Sequence, residues 1–218
     1  TYNGTTKIGT NTCMFTCTVP NTVIPAMAAA NVAIDNSANS VVAGWNLCVV
    51  GFSRPRITAS ASGARGSAIR SYSVDGVYHA AQSDGSLSFT GEAFTIGENK
   101  IFHICATDSR GRTSQVRSTA NVEVVPYHNP YISAFTAQRN PADNSRVTVH
   151  AVWVFASVKG KNSATATLSY KQSTGNGWTT YGSLTNDAST TLTTIFTEES
   201  SYDFRLTAPD RLGRSTTY

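Results

Sequence analysis

Residues 106–113 read ATDSRGRT and residues 208–216 read APDRLGRST. Asp108 and Asp210 are each followed three positions later by a Gly-Arg pair and then by a hydroxyl residue. The aspartate suits a tight turn because its side chain accepts backbone N–H groups, and the glycine suits it because it takes positive φ without strain. Each arginine then leaves the turn to begin a strand. A hairpin written twice about a hundred residues apart is the mark of a tandem array, one domain per copy, at a common domain size.

The Pro-containing segments set the phase of that array. Val19-Pro20 with Pro25 is echoed by Val125-Pro126 with Pro130, and each pair follows one block and precedes the next. The expected organisation is residues 1–20 as an N-terminal strand closing an upstream domain, 21–125 as one β-sandwich, and 126–218 as a second with a truncated last strand. In the first block a full strand, TSQVRSTANVEVV, follows the hairpin, whereas only Ser215–Tyr218 follow it in the second. Residues 5–19 read as a last strand without its own domain, expected to pair with a sheet edge of this or a neighbouring copy. The chain starts at Thr1 without a signal segment and reads as a fragment or a processed piece.

Composition agrees with an all-β fold. The 25 Ser and 30 Thr make about a quarter of the chain, and charged residues are only 14%, against about 25% in ordinary soluble domains. Thr and Val suit a pleated surface, while Ser, Asn, Asp and Gly suit the turns between strands. Period-two alternation marks strands at Thr12–Val19, Arg56–Ser62, Ala68–Val74, Ser86–Phe94, Lys100–Thr107, Gln115–Val124, Val147–Ser157, Ala164–Gln172, Thr191–Phe196 and Ser201–Leu206. At Thr12–Val19 the residues Cys13, Phe15, Cys17 and Val19 form the expected buried face. The Ala-rich stretch Ala26–Ile34 follows Pro25 and lacks a helical apolar stripe, so it too reads as strand. A short helical turn is expected at Ser40–Trp45, capped by Asn39 or Ser40.

Catalytic and metal chemistry find no foothold in the sequence. His79, His103, His128 and His150 lie far apart without ligand spacing, and no nucleophile elbow or phosphate loop is present. Glu198 and Glu199 are adjacent, so on a strand they point to opposite faces and cannot bracket one glycosidic bond. No enzyme, cofactor or metal is therefore expected. The net charge of +4 is scattered, which argues against a nucleic-acid partner. No run of about 18 apolar residues exists, so no membrane partner is expected. Cys13 and Cys17 on a strand lie about 13 Å apart, too far for a disulfide. With Cys48 and Cys105 they read as small buried hydrophobes in reduced form.

Among the aromatics, Trp45 and Trp153 sit in apolar stretches and read as core. Trp178 follows Gly-Asn-Gly and precedes Thr-Thr-Tyr181. It either covers the edge of its own sheet or presents a ring to a sugar. Trp178 and Tyr181 are the candidate glycan-stacking pair.

Several longer stretches carry a resemblance: GFSRPRITASASGARGSAIRSY (51–72), ICATDSRGRTS (104–114), VPYHNPYI (125–132), KNSATATLSYKQST (161–174) and SSYDFRLTAPDRLGRS (200–215). Together they resemble the tandem Ig-like or fibronectin-like domains of tailed-phage (siphophage) minor structural proteins of Gram-positive hosts. The resemblance covers nearly the whole chain. Pro209, Pro55 and the four cysteines depart from its pattern. It transfers no active site and implies a non-catalytic virion module of the tail tip, baseplate or fibre. Such a module is assembled in the host cytoplasm among other virion tail proteins, is homo-oligomeric, and takes host cell-wall glycan as a further partner. The alternative from another class is a glycan-binding adhesin module of a phage or bacterial surface protein.

Overall fold

A computed structural model describes residues 2–3, 5–7, 9 and 12–218. The described strands in the first part of the chain are β1 (Tyr2–Asn3), β2 (Thr6–Lys7), β3 (Ala26–Asp35), β4 (Cys48–Val49), β5 (Arg54–Ser62), β6 (Ile69–Val74), β7 (Val77–Ala80), β8 (Leu87–Thr90), β9 (His103–Asp108), β10 (Arg117–Ser118) and β11 (Val124–Val125). One helix, α1 (Ser40–Trp45), lies between β3 and β4. The second part holds β12 (Tyr131–Asn140), β13 (Asp143–Val154), β14 (Thr167–Gln172), β15 (Thr179–Ser183), β16 (Ala188–Thr191), β17 (Tyr202–Pro209) and β18 (Ser215–Thr217). The chain is all-β, as its composition implies.

Sheet order separates the two parts. Among the described residues, β10-β9-β6-β7, β3-β5-β8, β1-β2 and β11-β4 draw only on strands before Pro126, and β12-β13-β16 and β15-β14-β17-β18 only on strands after Pro130. Pairing is antiparallel in β1-β2, β10-β9-β6-β7, β12-β13-β16 and β15-β14-β17-β18, and parallel for β11 on β4. By backbone proximity the chain forms two compact units, Thr1–Ala30 with Ala59–Leu87 and His103–Ser118, and Asn31–Thr58 with Ser88–Phe102 and Thr119–Tyr218.

In the first unit the β6–β9 ladder is the centre of its sheet, and buried side chains alternate along both strands at Tyr72 and Val74 and at Ile104, Ala106 and Asp108. The β6–β7 hairpin turns at Asp75 and Gly76, both at positive φ. That geometry matches strand twist and is why Asp-Gly works there.

In the second unit two sheets enclose one core. Val147, Val149, Ala151 and Trp153 of β13 meet Leu168 of β14, Leu206 and Ala208 of β17, and the loop residues Leu192 and Phe196. Trp153 is buried, as expected, with its indole N–H donating to the Ala164 carbonyl at 3.4 Å. A second cluster joins Val42, Val49, Phe52 and Val125 to Ala156, Val158 and Leu212, with Trp45 and Tyr127 packed against it. Helix α1 supplies Val42 to this cluster and is capped by Asn39, whose Oδ1 accepts the Val41 and Val42 N–H groups at 3.0 and 3.1 Å.

Three expectations are corrected. Thr12–Val19 carries no strand, and Met14 and Phe15 are 92% and 87% exposed; alternation alone cannot create a strand without a partner ladder. Ile8, Thr10 and Asn11, part of the expected 5–19 strand, lie outside the described residues. Cys13 and Cys17 are exposed rather than buried for the same reason, while Cys48 is buried; all four cysteines are free. The Thr191–Phe196 strand ends instead at Thr191, because the chain leaves the ladder and anchors irregularly, Leu192 N–H to Val147 O and Phe196 N–H to Ser145 O, both at 2.8 Å.

Candidate functional site

The repeated hairpins share one geometry. Asp108 Oδ1 accepts the N–H groups of Arg110 and Arg112 at 2.9 and 3.0 Å, and Asp210 Oδ1 accepts those of Leu212 and Arg214 at the same two distances. Gly111 and Gly213 sit at φ +77° and +79°, a region that costs a β-carbon-bearing residue about 1–2 kcal/mol. Outside the turn, Ser109 N–H donates to Ala68 O and Arg211 N–H to Ser163 O, at 2.8 and 3.1 Å. The motif therefore closes the turn and anchors it to a neighbouring segment in both copies.

The second carboxylate oxygens diverge. Asp108 Oδ2 takes its own Arg110, Nε at 3.1 Å and Nη2 at 2.8 Å, and Arg110 Nη2 also reaches Ala64 O and Ser67 Oγ. Burial pushes the Asp108 carboxyl up, but hydrogen bonds from Arg110, Arg112 and Ser67 outweigh it and hold the group well below the usual carboxylate range. Asp210 Oδ2 instead accepts the Tyr127 hydroxyl at 2.8 Å and Asn162 Nδ2 at 3.1 Å. Burial first, and then the bond to Asp210, push the Tyr127 hydroxyl strongly up.

The residues that follow the aspartates match that division. At the third position of the motif stand Arg110 and Leu212; Leu212 is 7% exposed and packs with Val42, Phe52 and Val158. Arg214 lies over the Phe52 ring and Arg211 over Trp45, at 5.5 and 5.9 Å. Arg112 donates to the carbonyls of Val19, Pro20 and Val23. Each hairpin thus grips the Val-Pro segment that enters its own block, through Arg112 in one copy and through Asp210 and Tyr127 in the other.

Trp178 and Tyr181 are not brought together. Trp178 is 37% exposed and lies under two cations, Arg205 Cζ at 4.4 Å and Lys171 Nζ at 5.5 Å from the ring centroid. Tyr181 packs against the β13/β14/β17 core, and its hydroxyl accepts the Thr193 N–H at 3.4 Å. Three positions apart along an extended segment, the two rings fall on opposite faces, and Tyr181 takes the inner one. Sequence reasoning missed Arg205 and Lys171. Both sit at alternate, outward positions of their strands, but cross-strand register is what places them on the ring.

Three of the histidines have side-chain partners as follows: His103 with Ser118 Oγ at 2.9 Å, His128 with Asn129 O at 2.9 Å and His150 with Asp187 at 3.3 Å. Among the described residues no group of three or more His, Cys, Asp or Glu is placed to hold a metal ion.

A family profile described as "Siphovirus protein of unknown function (DUF859)" matches residues 1–210. The chain belongs to this siphovirus family. No curated protein matches the chain. Solved structures similar to this family member include titin domains A168-A170, at 14% identity and TM-score 0.38, covering 88% of this chain and 64% of that one. An adhesin described as Ca2+-stabilized and helping an Antarctic bacterium reach out and bind ice matches at 11% identity and TM-score 0.40, covering 88% and 47%. The FN1-FN3 domains of chicken CNTN1 match at 12% identity and TM-score 0.31, covering 74% and 60%. The siphovirus chain spans less than two thirds of each of these three.

Proposed function

We propose that this chain is a non-catalytic structural module of the virion, a tandem spacer in the tail tip, baseplate or fibre. Its partners on this reading are other tail proteins and further copies of itself. The observation that carries the reading is how the second block of strands is fastened: Tyr127 and Asn162 converge on Asp210 while Leu212 enters the Val42/Phe52 cluster. A hydrogen-bonded and apolar coupling of consecutive blocks is what a chain that must transmit position along its length requires, and family membership supplies the viral context.

The test is to locate the chain in intact particles. Gold-labelled antibody against residues 21–218 should decorate the tail of purified virions, and label on empty capsids or only in unassembled lysate overturns the proposal. Release of sugars from host walls by the purified chain overturns its non-catalytic half.

A second reading, a glycan-binding module, is favoured by one observation, the partly exposed Trp178 ring on the outer sheet face. On this reading the platform is Trp178 without Tyr181.

A further inference from the structure

The β14–β17 ladder sets Leu168, Tyr170, Phe204 and Leu206 toward the core. Its outer face therefore carries Ser169, Lys171, Asp203 and Arg205, with Ser169 opposite Arg205 and Lys171 opposite Asp203. Thr180 of β15 pairs with Ser169, so Trp178, two residues earlier, joins the same face. The Thr180 hydroxyl, two cations, one carboxylate and one indole make up this surface, with Ser169 buried beneath them.

Charge on the face does not cancel. Asp203 receives Lys171 Nζ at 3.1 Å and Ser173 Oγ at 2.7 Å, and Lys171 also reaches Gly175 O at 3.2 Å. The Ser173 bond first, then Lys171, lower the Asp203 carboxyl below its ordinary value, so it stays ionised and is matched by the lysine. Among the described residues no carboxylate pairs with Arg205. Its Nε is covered and without a hydrogen-bond partner. The guanidinium is held against Trp178 at 4.4 Å, so it is an oriented cation on a partly exposed side chain. Such a planar fork matches a phosphate or a carboxylate.

We propose that this face binds a saccharide bearing a single oxyanion, with Arg205 holding the phosphate or carboxylate and the exposed part of Trp178 carrying the C–H face of the ring. The inference rests on the glycan-binding reading and is independent of the spacer reading. One unmatched cation suits one anionic group; a nucleic acid requires several phosphate contacts along a continuous basic track. Fixing the guanidinium in advance lowers the entropy lost on binding. Lys171, already committed to Asp203, is a positioning residue that helps to hold Trp178.

The experiment uses the full chain and follows the Arg205 Nε–Hε resonance together with indole emission. The probes are glucose 6-phosphate, glucuronate, glucose and inorganic phosphate, each titrated into the millimolar range. Glucose 6-phosphate or glucuronate should shift Arg205 and bind at least tenfold more tightly than glucose and inorganic phosphate. The stronger of the two assigns the anion as phosphate or carboxylate. Arg205→Gln should abolish that preference, Arg205→Lys should restore it only in part, and Trp178→Phe should remove the emission change. Equal binding of glucose and glucose 6-phosphate overturns the anion site and leaves glycan binding standing. Equal binding of inorganic phosphate and glucose 6-phosphate overturns the saccharide. No response to any probe overturns both. Unchanged thermal unfolding of the variants shows that lost binding is not lost folding.

Discussion

The Tyr127 hydroxyl donates to Asp210 Oδ2 at 2.8 Å, joining a linker residue to a turn 83 positions further along the chain. The same oxygen accepts Asn162 Nδ2, so one carboxylate oxygen collects two segments. Tyr127→Phe keeps the ring, which meets Phe52 edge-on at 5.0 Å, and removes only the donor. We expect a loss of about 1–2 kcal/mol, measured by urea unfolding. At alkaline pH the sign follows from the raised hydroxyl: its contribution is complete below about pH 10 and is lost as pH rises toward the folded value. The phenylalanine variant should lose that dependence.

Leu212→Ala should be more severe. The side chain is nearly buried among Val42, Phe52 and Val158, and emptying such a site costs about 2–5 kcal/mol. Calorimetry should show a lowered transition. A change under about 0.5 kcal/mol, typical of surface positions, would remove Leu212 from the coupling.

Asp108 gives an acid-side prediction. Its carboxyl is held below the ordinary aspartate value, about 3.9, so it contributes stability that is fully present above that pH and is lost as pH falls toward the folded value. Stability followed from pH 5 to pH 2 should decline in the native chain and be flatter in Asp108→Asn, which should already be less stable at pH 7.

Thiol labelling separates the cysteines. Cys13 and Cys17 are exposed and should react first with a maleimide at pH 7. Burial pushes the Cys48 thiol up to about 11, against a hydrogen bond with Ser53, so Cys48 should stay unlabelled until the chain is denatured. Four labels under denaturing, non-reducing conditions are expected. Early reaction of Cys48 would contradict its placement.

What the sequence made legible is local. The Asp-x-x-Gly-Arg turns, the Asn39 cap and the strand over Ala26–Asp35 rest on contacts within a few residues, or on a pattern that a strand obeys. Strand β12 escaped because a bulge between Ile132 and Ala134 breaks its alternation: Ile132, Phe135 and Ala137 face the core at uneven spacing. Thr12–Val19 misled in the opposite way, with perfect alternation and no ladder. Trp178 was visible as an unusual aromatic, but Arg205 and Lys171 reach it through strand pairing, and no single stretch of sequence encodes that register. The fate of the second oxygen of Asp210 was equally hidden, since Tyr127 and Asn162 lie 83 and 48 positions away.

Arg110 and Leu212 occupy the same place in two nearly identical turns, yet one folds back on its own aspartate and the other enters a neighbouring cluster. On the spacer reading proposed above, compliance is thus written in a side chain that neither Oδ1-closed turn depends on, since each turn uses only the backbone N–H at that position. A lineage can stiffen or loosen one link by a single codon and leave the sheets untouched. On the same spacer reading, an appendage assembled from these blocks would in that way grade its bending along its length, using one fold throughout.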